Sequence, residues 1–385
     1  MKFLKKFFKW FIILVSLFIA FIYLFNYDYL IKAIKTIYFQ GHVTAFLDDY
    51  KEFDNRVIEK GSHIDEWPVH EKYNTINATP KLKELHDKYN TAAFLVVKND
   101  SIWHEKYYED FNEKSKINSF SMAKSIISAL LGRAIMDGHI KSLDQPVGDF
   151  IPEFSEGKAA KLTVGDLSSM SSGLNWNESY YSPFSITTRA YFTDNLRDVI
   201  LGLEVVDEPG KSYDYLSGNT QLLGMVIEKA TGNTLAENLS EKFWKPMGCE
   251  NEALWQLDSE ESGLEKAYCC IASNVRDFAR FGRLYKCNGY WNGEKLLEPG
   301  FVETSIKPRF DDSPFYGYGL WLSDYKNKEI YYLRGHLGQF VIVIPEDDII
   351  IVRMGEGTNL AGLRAHGKDF YGYIDEVYNM FDNAK

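Results

Sequence analysis

The length, composition and charge of the chain limit the classes of protein to which it can belong. It has 385 residues, of which 45% are hydrophobic and 25% charged, and this composition excludes a disordered, collagen-like or coiled-coil chain. Its net charge of −11 argues against a nucleic-acid partner, because such proteins need a surplus of lysine and arginine to displace the counterions of phosphates.

The first predicted element is an apolar helix behind a basic end. Four lysines precede every acidic residue, and the following segment, 10–25, contains no charged residue. Such a helix spans roughly 24 Å, slightly less than the ~30 Å hydrocarbon core of a membrane, and Tyr29 suits the far interface. We predict a single-pass anchor within residues 1–30, with cytoplasmic lysines and an exported, extracytoplasmic catalytic domain. A cleaved signal peptide and a buried core helix are the alternatives.

The next region is interpreted as an arm that leads into a sheet. Residues 31–85 mix aromatic and polar residues without a sustained period, and we interpret them as a juxtamembrane arm that wraps the domain 86–385. Two runs rich in β-formers, 92–98 and 101–108, flank an Asn-Asp pair. This pattern predicts two strands joined by a tight turn.

The middle of the chain is predicted to be mostly helical. In the segment 121–139 apolar residues recur at helical spacing on nearly every side, which indicates a deeply buried helix. Further helices are predicted at 220–231 and 275–287, each ending near a glycine. Thr163 three residues before Asp166 resembles a capping box at another helix start.

Strands return near the C-terminus as β-branched and aromatic runs. The predicted ranges are 318–323, 329–333, 339–344 and 349–354 for the strands and 363–381 for a final helix. Strands at both ends around a helical middle predict an α/β (α+β) fold with two lobes. The α/β lobe takes 86–120 and 300–385, the helical lobe takes 121–299, and a cleft lies between them.

The cysteines and histidines do not indicate a metal or redox site. The four cysteines lack CxxC spacing, and the eight histidines form no HExxH or similar pair. The favoured interpretation of Cys249, Cys269, Cys270 and Cys287 is buried thiols. A bridge to Cys287 from Cys249 or Cys270 is the alternative outside the cytoplasm.

Ser121 and Lys124 form an S-x-x-K element at the start of the buried helix. The helix dipole favours a serine at the helix N-terminus, and a lysine three residues later lies one turn along the same face. A buried lysine can lose its charge and act as a base. The pattern also occurs at 155–158 and 323–326, but only Ser121 begins a long apolar helix. The alternative is an N-capping serine followed by a solvated lysine.

Two further elements follow S-x-x-K in a fixed order. The segment 209–224 contains Tyr215 and Ser217 in a Y-x-S element, and the segment 335–340 contains His336 in an H-x-G element. The three elements together resemble the serine β-lactamase and penicillin-binding-protein superfamily, in which S-x-x-K precedes Y-x-N and then K-T-G or H-x-G.

The resemblance is closer to the 6-aminohexanoate-dimer (nylon oligomer) hydrolases and related esterases of the class C β-lactamase fold. The segments 120–125, 167–174 and 177–180 look like members of that group, and the resemblance covers about residues 90–355. It implies an antiparallel sheet flanked by helices, an all-helical lobe, an acyl-enzyme mechanism, and no cofactor or metal.

The resemblance also implies the roles of individual residues. Ser121 attacks the carbonyl, Lys124 and Tyr215 relay the proton, and the backbone N–H groups of Ser121 and Gln339 form the oxyanion hole. The implied substrate-binding residues are Tyr180, Ser217, His336, Gly338 and Gln339.

Two departures from the superfamily pattern bear on the substrate. Ser217 replaces the amide of Y-x-N, and His336 replaces the lysine of K-T-G, so a permanent positive charge for a substrate carboxylate is missing. We therefore predict a small-molecule amide or ester substrate. β-Lactamase or DD-peptidase activity and a non-catalytic penicillin-binding-like sensor are the alternatives, whereas an α/β-hydrolase is disfavoured because no G-x-S-x-G element occurs.

Overall fold

The structure is a computed structural model that describes residues 2–359, 362 and 365–384. Its α-helices are α1 (Lys2–Leu24), α2 (Tyr29–Ala33), α3 (Pro80–Lys88), α4 (Ala123–Met136), α5 (Val164–Ser168), α6 (Ile186–Phe192), α7 (Leu196–Leu201), α8 (Ser217–Thr231), α9 (Leu235–Leu239), α10 (Val275–Lys286), α11 (Pro299–Ser305) and α12 (Lys368–Asp382). Its strands are β1 (Asn55–Ile58), β2 (Thr91–Lys98), β3 (Ser101–Tyr107), β4 (Ile117–Asn118), β5 (Ala253–Gln256), β6 (Ile271–Ser273), β7 (Tyr290–Trp291), β8 (Glu294–Lys295), β9 (Trp321–Ser323), β10 (Ile330–Arg334), β11 (Phe340–Ile344) and β12 (Ile349–Gly355).

The main sheet joins strands from both ends of the domain. Its six strands lie in the order β3-β2-β12-β11-β10-β9, and every neighbouring pair is antiparallel. Asn99 and Asp100 have φ values of 50° and 54°, as a two-residue hairpin turn requires. The predicted hairpin and the antiparallel sheet are therefore confirmed.

Helices cover both faces of this sheet, which explains why its strands are apolar runs. Alternate residues such as Phe94 and Val96 pack with α3 and α12. Their neighbours Leu95 and Val97 belong to the core that includes α4 and α10. Helix α4 thus lies in the main core with nearly all its residues buried, as its sequence pattern predicts.

Most other helix predictions agree with the structure. Thr163 and Asp166 form the predicted capping box at α5, and α10 closely matches its predicted range. Helix α8 ends at the predicted Gly232, which is in the left-handed region, but it begins three residues earlier than predicted, at Ser217.

Two boundaries near the C-terminus were predicted too early. Strand β9 begins at Trp321 because Gly319, with φ 77°, turns the chain against α4, where an added Cβ would lie 2.5 Å from Cβ of Ser128. The final helix begins at Lys368, and residues 365–367 are not helical. The predicted start at Leu363 lies outside the described residues.

A second sheet has no counterpart among the predicted strands. It contains β1, β5, β6 and β4 in that order. Each strand has only two to four residues, so no period could be recognised. Because β1 belongs to the segment interpreted as an arm, the arm contributes a strand to the second sheet.

The cysteine prediction is partly wrong. Cys269 and Cys270 form a disulfide with each other, whereas Cys249 and Cys287 are free, so neither proposed bridge to Cys287 exists. The prediction considered only the spacing of the cysteines in the sequence. It did not consider the backbone, which turns at Cys270 with φ 76°.

The N-terminal segments differ in their contacts with the domain. The stretch Phe3–Leu24 of α1 is long and apolar enough to cross a membrane, and 6% of it is buried, which disfavours a core helix. Helix α2 instead packs on the domain. Tyr29, assigned to the membrane interface from the sequence, is buried, and its hydroxyl donates to the carbonyl of Pro183 at 3.0 Å.

Candidate active site

Ser121 and Lys124 are in direct contact at the start of α4. Ser121 lies in a 3₁₀ turn, Phe120–Met122, that leads into the helix. Lys124 Nζ donates to Ser121 Oγ at 3.0 Å and to the carbonyl of Tyr268 at 2.8 Å. The one-turn spacing that the sequence indicated therefore places the amine against the hydroxyl.

Burial changes the acidity of this lysine. Only 3% of Lys124 is exposed, and burial lowers its pKa to about 8 although the nearby Glu178 acts in the opposite direction. A low-dielectric environment disfavours the charged amine. A substantial fraction of Lys124 is therefore neutral, and able to accept a proton, slightly above neutral pH.

The two other S-x-x-K segments form no such pair. Lys158 donates to the carbonyl of Val206, and Lys326 pairs with Asp375 at 2.8 Å. Ser155 is exposed and donates to the carbonyl of Pro152 at 2.6 Å. The geometry thus distinguishes Ser121 from the other matches.

The backbone before Ser121 is held in an unusual conformation. Phe120 has φ 44°, a left-handed value that is costly for a bulky residue and needs support from its surroundings. Asn118 supplies part of this support, because its side-chain oxygen accepts from the N–H of Phe120 at 2.9 Å. The amide of Asn118 in turn donates to Asp49 at 2.8 Å. An arm residue therefore supports the turn that carries Ser121.

Tyr215 lies beside the same serine, two residues before α8. Burial raises the pKa of Tyr215 above the ordinary value, and an interaction with the side chain of Ser121 acts in the opposite direction. Lys124 Nζ lies 5.1 Å from the centre of its ring. Trp321 packs against the ring with centroids 5.5 Å apart. The tyrosine is thus protonated at neutral pH and fixed next to Ser121 and Lys124.

Glu178 is a site residue that sequence reasoning missed. Its carboxylate accepts hydrogen bonds from the N–H and hydroxyl of Ser217, both at 2.7 Å. It also accepts from the hydroxyl of Tyr180 at 2.6 Å and from the indole of Trp176 at 2.8 Å. The only sequence signal is its place in the segment 177–180, which contains no pattern that points to a carboxylate.

His336 faces Tyr180 across the site. Their ring centroids lie 4.4 Å apart. Burial, with smaller effects of Arg334 and Lys124, lowers the pKa of His336 to about 4. Its Nε2 atom is buried and has no hydrogen-bond partner among the described residues. His336 is therefore neutral at pH 7 and has one ring nitrogen available to a ligand.

The guanidinium of Arg334 is held by backbone carbonyls and by an aromatic ring. Its guanidinium donates to the carbonyls of Gly362 and Ala365 at 3.0 and 3.1 Å, and it stacks on the Trp321 ring at 4.5 Å. These contacts hold two of its donor nitrogens on backbone carbonyls, and its charge still contributes to lowering the pKa of His336. Residues two apart on a regular strand point to the same face. Strand β10 ends at Arg334, so this rule does not align Arg334 with His336.

The turn after β10 lies against the segment that precedes the serine. A Cβ added to Gly335 would lie 2.6 Å from the carbonyl oxygen of Ser119, and one at Gly338, with φ 84°, would lie 2.6 Å from Arg353. Gln339 stabilises the turn, since its side chain donates to the Gly355 carbonyl at 3.0 Å. Among the backbone hydrogen bonds of turns and loops in the described chain, neither the N–H of Ser121 nor that of Gln339 is a donor.

A cavity of about 190 Å³ opens beside Ser121. Its walls include the predicted binding residues Tyr180, Ser217 and His336, and also the arm segment 33–45. Nothing in the arm sequence indicated this placement. Among the residues that the structure describes, no group of three or more His, Cys, Asp or Glu side chains could hold a metal ion.

Comparisons with known proteins identify the family of the chain. The profile of the Beta-lactamase family matches residues 78–371. The 6-aminohexanoate-dimer hydrolase of Paenarthrobacter ureafaciens is 26% identical over 237 residues, which are 59% of this chain and 60% of that protein. The match therefore spans less than two thirds of the length of this relative.

Solved structures share the fold. A protein from Bacillus anthracis, provisionally described as a 6-aminohexanoate-dimer hydrolase, superposes with a TM-score of 0.69 at 21% identity, covering 87% of this chain and 91% of its own. A family VIII carboxylesterase superposes with a TM-score of 0.59 at 15% identity, covering 79% and 98%. At these identities the likeness concerns the fold alone.

Proposed function

Because the chain belongs to the beta-lactamase family, we propose that it is a serine hydrolase that cleaves an amide or ester bond through an acyl-enzyme on Ser121. The observation that carries the proposal is the 3.0 Å contact between Lys124 Nζ and Ser121 Oγ. A lysine with a pKa of about 8 can remove the serine proton at weakly alkaline pH, which converts the hydroxyl into a nucleophile. The proposed reaction uses no metal or cofactor.

The first half of the proposed reaction forms the acyl-enzyme. Ser121 Oγ bonds to the carbonyl carbon as its proton passes to neutral Lys124. The N–H groups of Ser121 and Gln339 donate to the resulting oxyanion. When the intermediate collapses, the bond to the leaving amine or alcohol breaks, and this group takes a proton from Tyr215. Lys124 returns a proton to Tyr215, so the site again holds a neutral lysine.

The second half releases the acid. A water molecule gives a proton to the Lys124 and Tyr215 pair and attacks the acyl carbon. Collapse of the second intermediate breaks the bond to Ser121 Oγ, which recovers the proton. The carboxylic acid leaves, and the three side chains return to their starting protonation states.

The predicted binding residues are proposed to orient the substrate. His336 contributes its Nε2 atom, which has no hydrogen-bond partner among the described residues. Tyr180 and Ser217 line the cavity, and their hydroxyls donate hydrogen bonds to the Glu178 carboxylate. Gly338 contributes through the turn, because the close approach of Arg353 leaves no room for a side chain. In this proposal Glu178 is a positioning residue.

β-Lactamase or DD-peptidase activity is the alternative that the charges disfavour. A substrate carboxylate would need a fixed cation, but burial keeps His336 neutral with a pKa of about 4, and the Arg334 donors bind backbone carbonyls. A non-catalytic sensor is disfavoured by the contact between Lys124 and Ser121, which a binding protein has no need to maintain. The names of the relatives, a 6-aminohexanoate-dimer hydrolase and a carboxylesterase, support acyl-bond hydrolysis.

A substrate panel tests the proposed function. The full-length protein is assayed with p-nitrophenyl esters, short linear amides and nitrocefin, beside the variants Ser121→Ala and Ser155→Ala. We expect turnover of esters or amides that Ser121→Ala abolishes and Ser155→Ala retains, and slower or no turnover of nitrocefin. Equal activity of Ser121→Ala and the native protein would overturn the proposal.

We also propose that residues 1–30 anchor the protein in a membrane, that 31–85 form a juxtamembrane arm, and that 86–385 form an extracytoplasmic hydrolase domain. The apolar stretch Phe3–Leu24 and the lysines before it support this orientation. The disulfide between Cys269 and Cys270 suits an oxidising compartment. Fractionation tests the anchor, and a mature N-terminus after residue 25 would contradict it.

A further inference from the structure

The cavity beside Ser121 has two walls of different origin. One wall comes from the catalytic region and includes Tyr268 and Phe192. The other comes from the arm, where Ala33, Ile37 and Val43 present apolar groups. The arm is fixed in this position, because Ile37 belongs to a small core that also contains Phe192.

The lining of this cavity favours an apolar ligand. Within the described chain, none of the residues that line it is Asp, Glu, Lys or Arg. His336 is the one histidine among them and is neutral at pH 7, since burial lowers its pKa to about 4. A charged group in such a cavity would lose its hydration without gaining a partner, whereas an apolar group gains free energy by leaving water.

The position of the cavity assigns it to one side of the scissile bond. Ser121 lines it, but Tyr215 does not appear among its described lining residues. In the proposed function Tyr215 protonates the leaving group, which must therefore lie on the Tyr215 side of the serine. A group in the cavity reaches Ser121 without contacting Tyr215, which is the arrangement that the acyl part of the substrate requires.

The size of the cavity sets a length for this acyl part. An apolar cavity of about 150 Å³ holds one benzene molecule, so the volume of about 190 Å³ accommodates roughly six carbons of a chain. Apolar surface continues at its mouth, where Tyr38, Val43 and Tyr181 are 63%, 85% and 80% exposed. A longer chain can extend over these residues.

We propose that this cavity is an acyl pocket that selects esters or amides of medium-chain or longer fatty acids, with the arm as its second wall. The assignment rests on the proposed function, because it uses the leaving-group role of Tyr215. It adds a substrate class that the acyl-enzyme mechanism alone does not specify. It also gives the arm a part in substrate binding.

The first experiment measures chain-length preference. The full-length protein in lipid nanodiscs is assayed with p-nitrophenyl esters from acetate to decanoate. Burial of each methylene is expected to raise kcat/KM by up to roughly fourfold until about six carbons are enclosed, after which the increase levels off. A flat or falling series, with acetate still hydrolysed, would overturn the acyl pocket and leave the proposed function standing. If Ser121→Ala hydrolysed every ester as fast as the native protein, both would fall.

The second experiment changes the mouth of the pocket. Val43→Asp places a charge where the chain leaves the cavity, and the 85% exposure of Val43 means that folding tolerates the change. Val69→Asp is the matched control, because Val69 is 64% exposed and does not line the cavity. We expect the octanoate-to-acetate ratio of kcat/KM to fall roughly tenfold in Val43→Asp, because the charge must be desolvated, and to stay unchanged in Val69→Asp. Equal ratios in the two variants would overturn the inference.

Discussion

The start of α4 and the arm contribute to the same site through different kinds of contact. At α4 the decisive pair, Ser121 and Lys124, is three residues apart. In the arm, Asp49 accepts from Tyr191 and Gln256, which lie 142 and 207 positions away. The first arrangement follows from helix geometry, and the second depends on the whole fold. The nucleophile and its base thus come from one local segment, whereas distant segments complete, support and enclose the site.

The largest expected effect lies in the proton relay around Ser121. Tyr215→Phe removes the hydroxyl that interacts with Ser121, and loss of such a proton donor costs about 10²- to 10⁴-fold in kcat. Tyr316→Phe is the control, because the Tyr316 ring packs edge-on against Tyr215 at 6.1 Å and has no assigned role in proton transfer. Steady-state kinetics with one ester compare the two variants. Equal kcat losses in both would mean that packing, and not proton transfer, gives Tyr215 its importance.

The contribution of the arm can be measured as a change in the free energy of unfolding. Asp49→Ala leaves the buried donors of Asn118, Tyr191 and Gln256 without their acceptor, so the free energy of unfolding should fall by about 1–3 kcal/mol. Asp48→Ala, at a neighbouring side chain that is 42% exposed, should change it by less than about 0.5 kcal/mol. Denaturant titration measures both. Equal stability of the two variants would contradict a supporting role for Asp49.

The carboxyl of Asp49 also makes the stability of the folded state depend on pH. Burial raises the pKa of Asp49 to about 6, above the value in the unfolded chain. The folded state therefore binds a proton that the unfolded chain has already released, so this contribution to stability is present at low pH and decreases as pH rises through about 6. Comparison of the native protein with Asp49→Asn across this range should show the decrease only in the native protein.

The pH dependence of catalysis tests the role of Lys124 at the start of α4. Since only neutral Lys124 accepts the serine proton and its pKa is about 8, kcat/KM for a neutral ester should rise roughly tenfold from pH 7 to pH 9. The spontaneous rate measured with Ser121→Ala is subtracted. A flat profile over this interval would exclude Lys124 as the base.

The smallest expected effect concerns His336, which lies between the two regions. His336→Asn should raise KM about fivefold at nearly constant kcat, because it removes one neutral hydrogen bond made equally in ground and transition states. A second variant, His336→Lys, should improve binding of carboxylate-bearing substrates relative to neutral esters. If His336→Asn lowered kcat as severely as Tyr215→Phe at unchanged KM, His336 would have to join the proton relay.

Part of the fold and part of the site could be predicted from the sequence. The main sheet, the buried helix α4 and the order of Ser121, Tyr215 and His336 follow from periodicity and from the resemblance to a known family. Strand β1 and the contacts of the Glu178 carboxylate depend on other segments, which no short pattern encodes. The disulfide between the adjacent residues Cys269 and Cys270 depends on a local turn of the backbone. The final helix was predicted to begin too early, because residue propensities alone do not show that residues 365–367 are not helical.

The identity of the nucleophile is tested most directly by covalent labelling. The full-length protein is treated with a fluorophosphonate probe at pH 8, digested and analysed by peptide mass spectrometry, beside Lys124→Met. We expect one adduct, on Ser121, with labelling strongly slowed in Lys124→Met because the hydroxyl loses the amine at 3.0 Å. An adduct on Ser155 or Ser323, or labelling of Ser121 at an unchanged rate without the lysine, would contradict it.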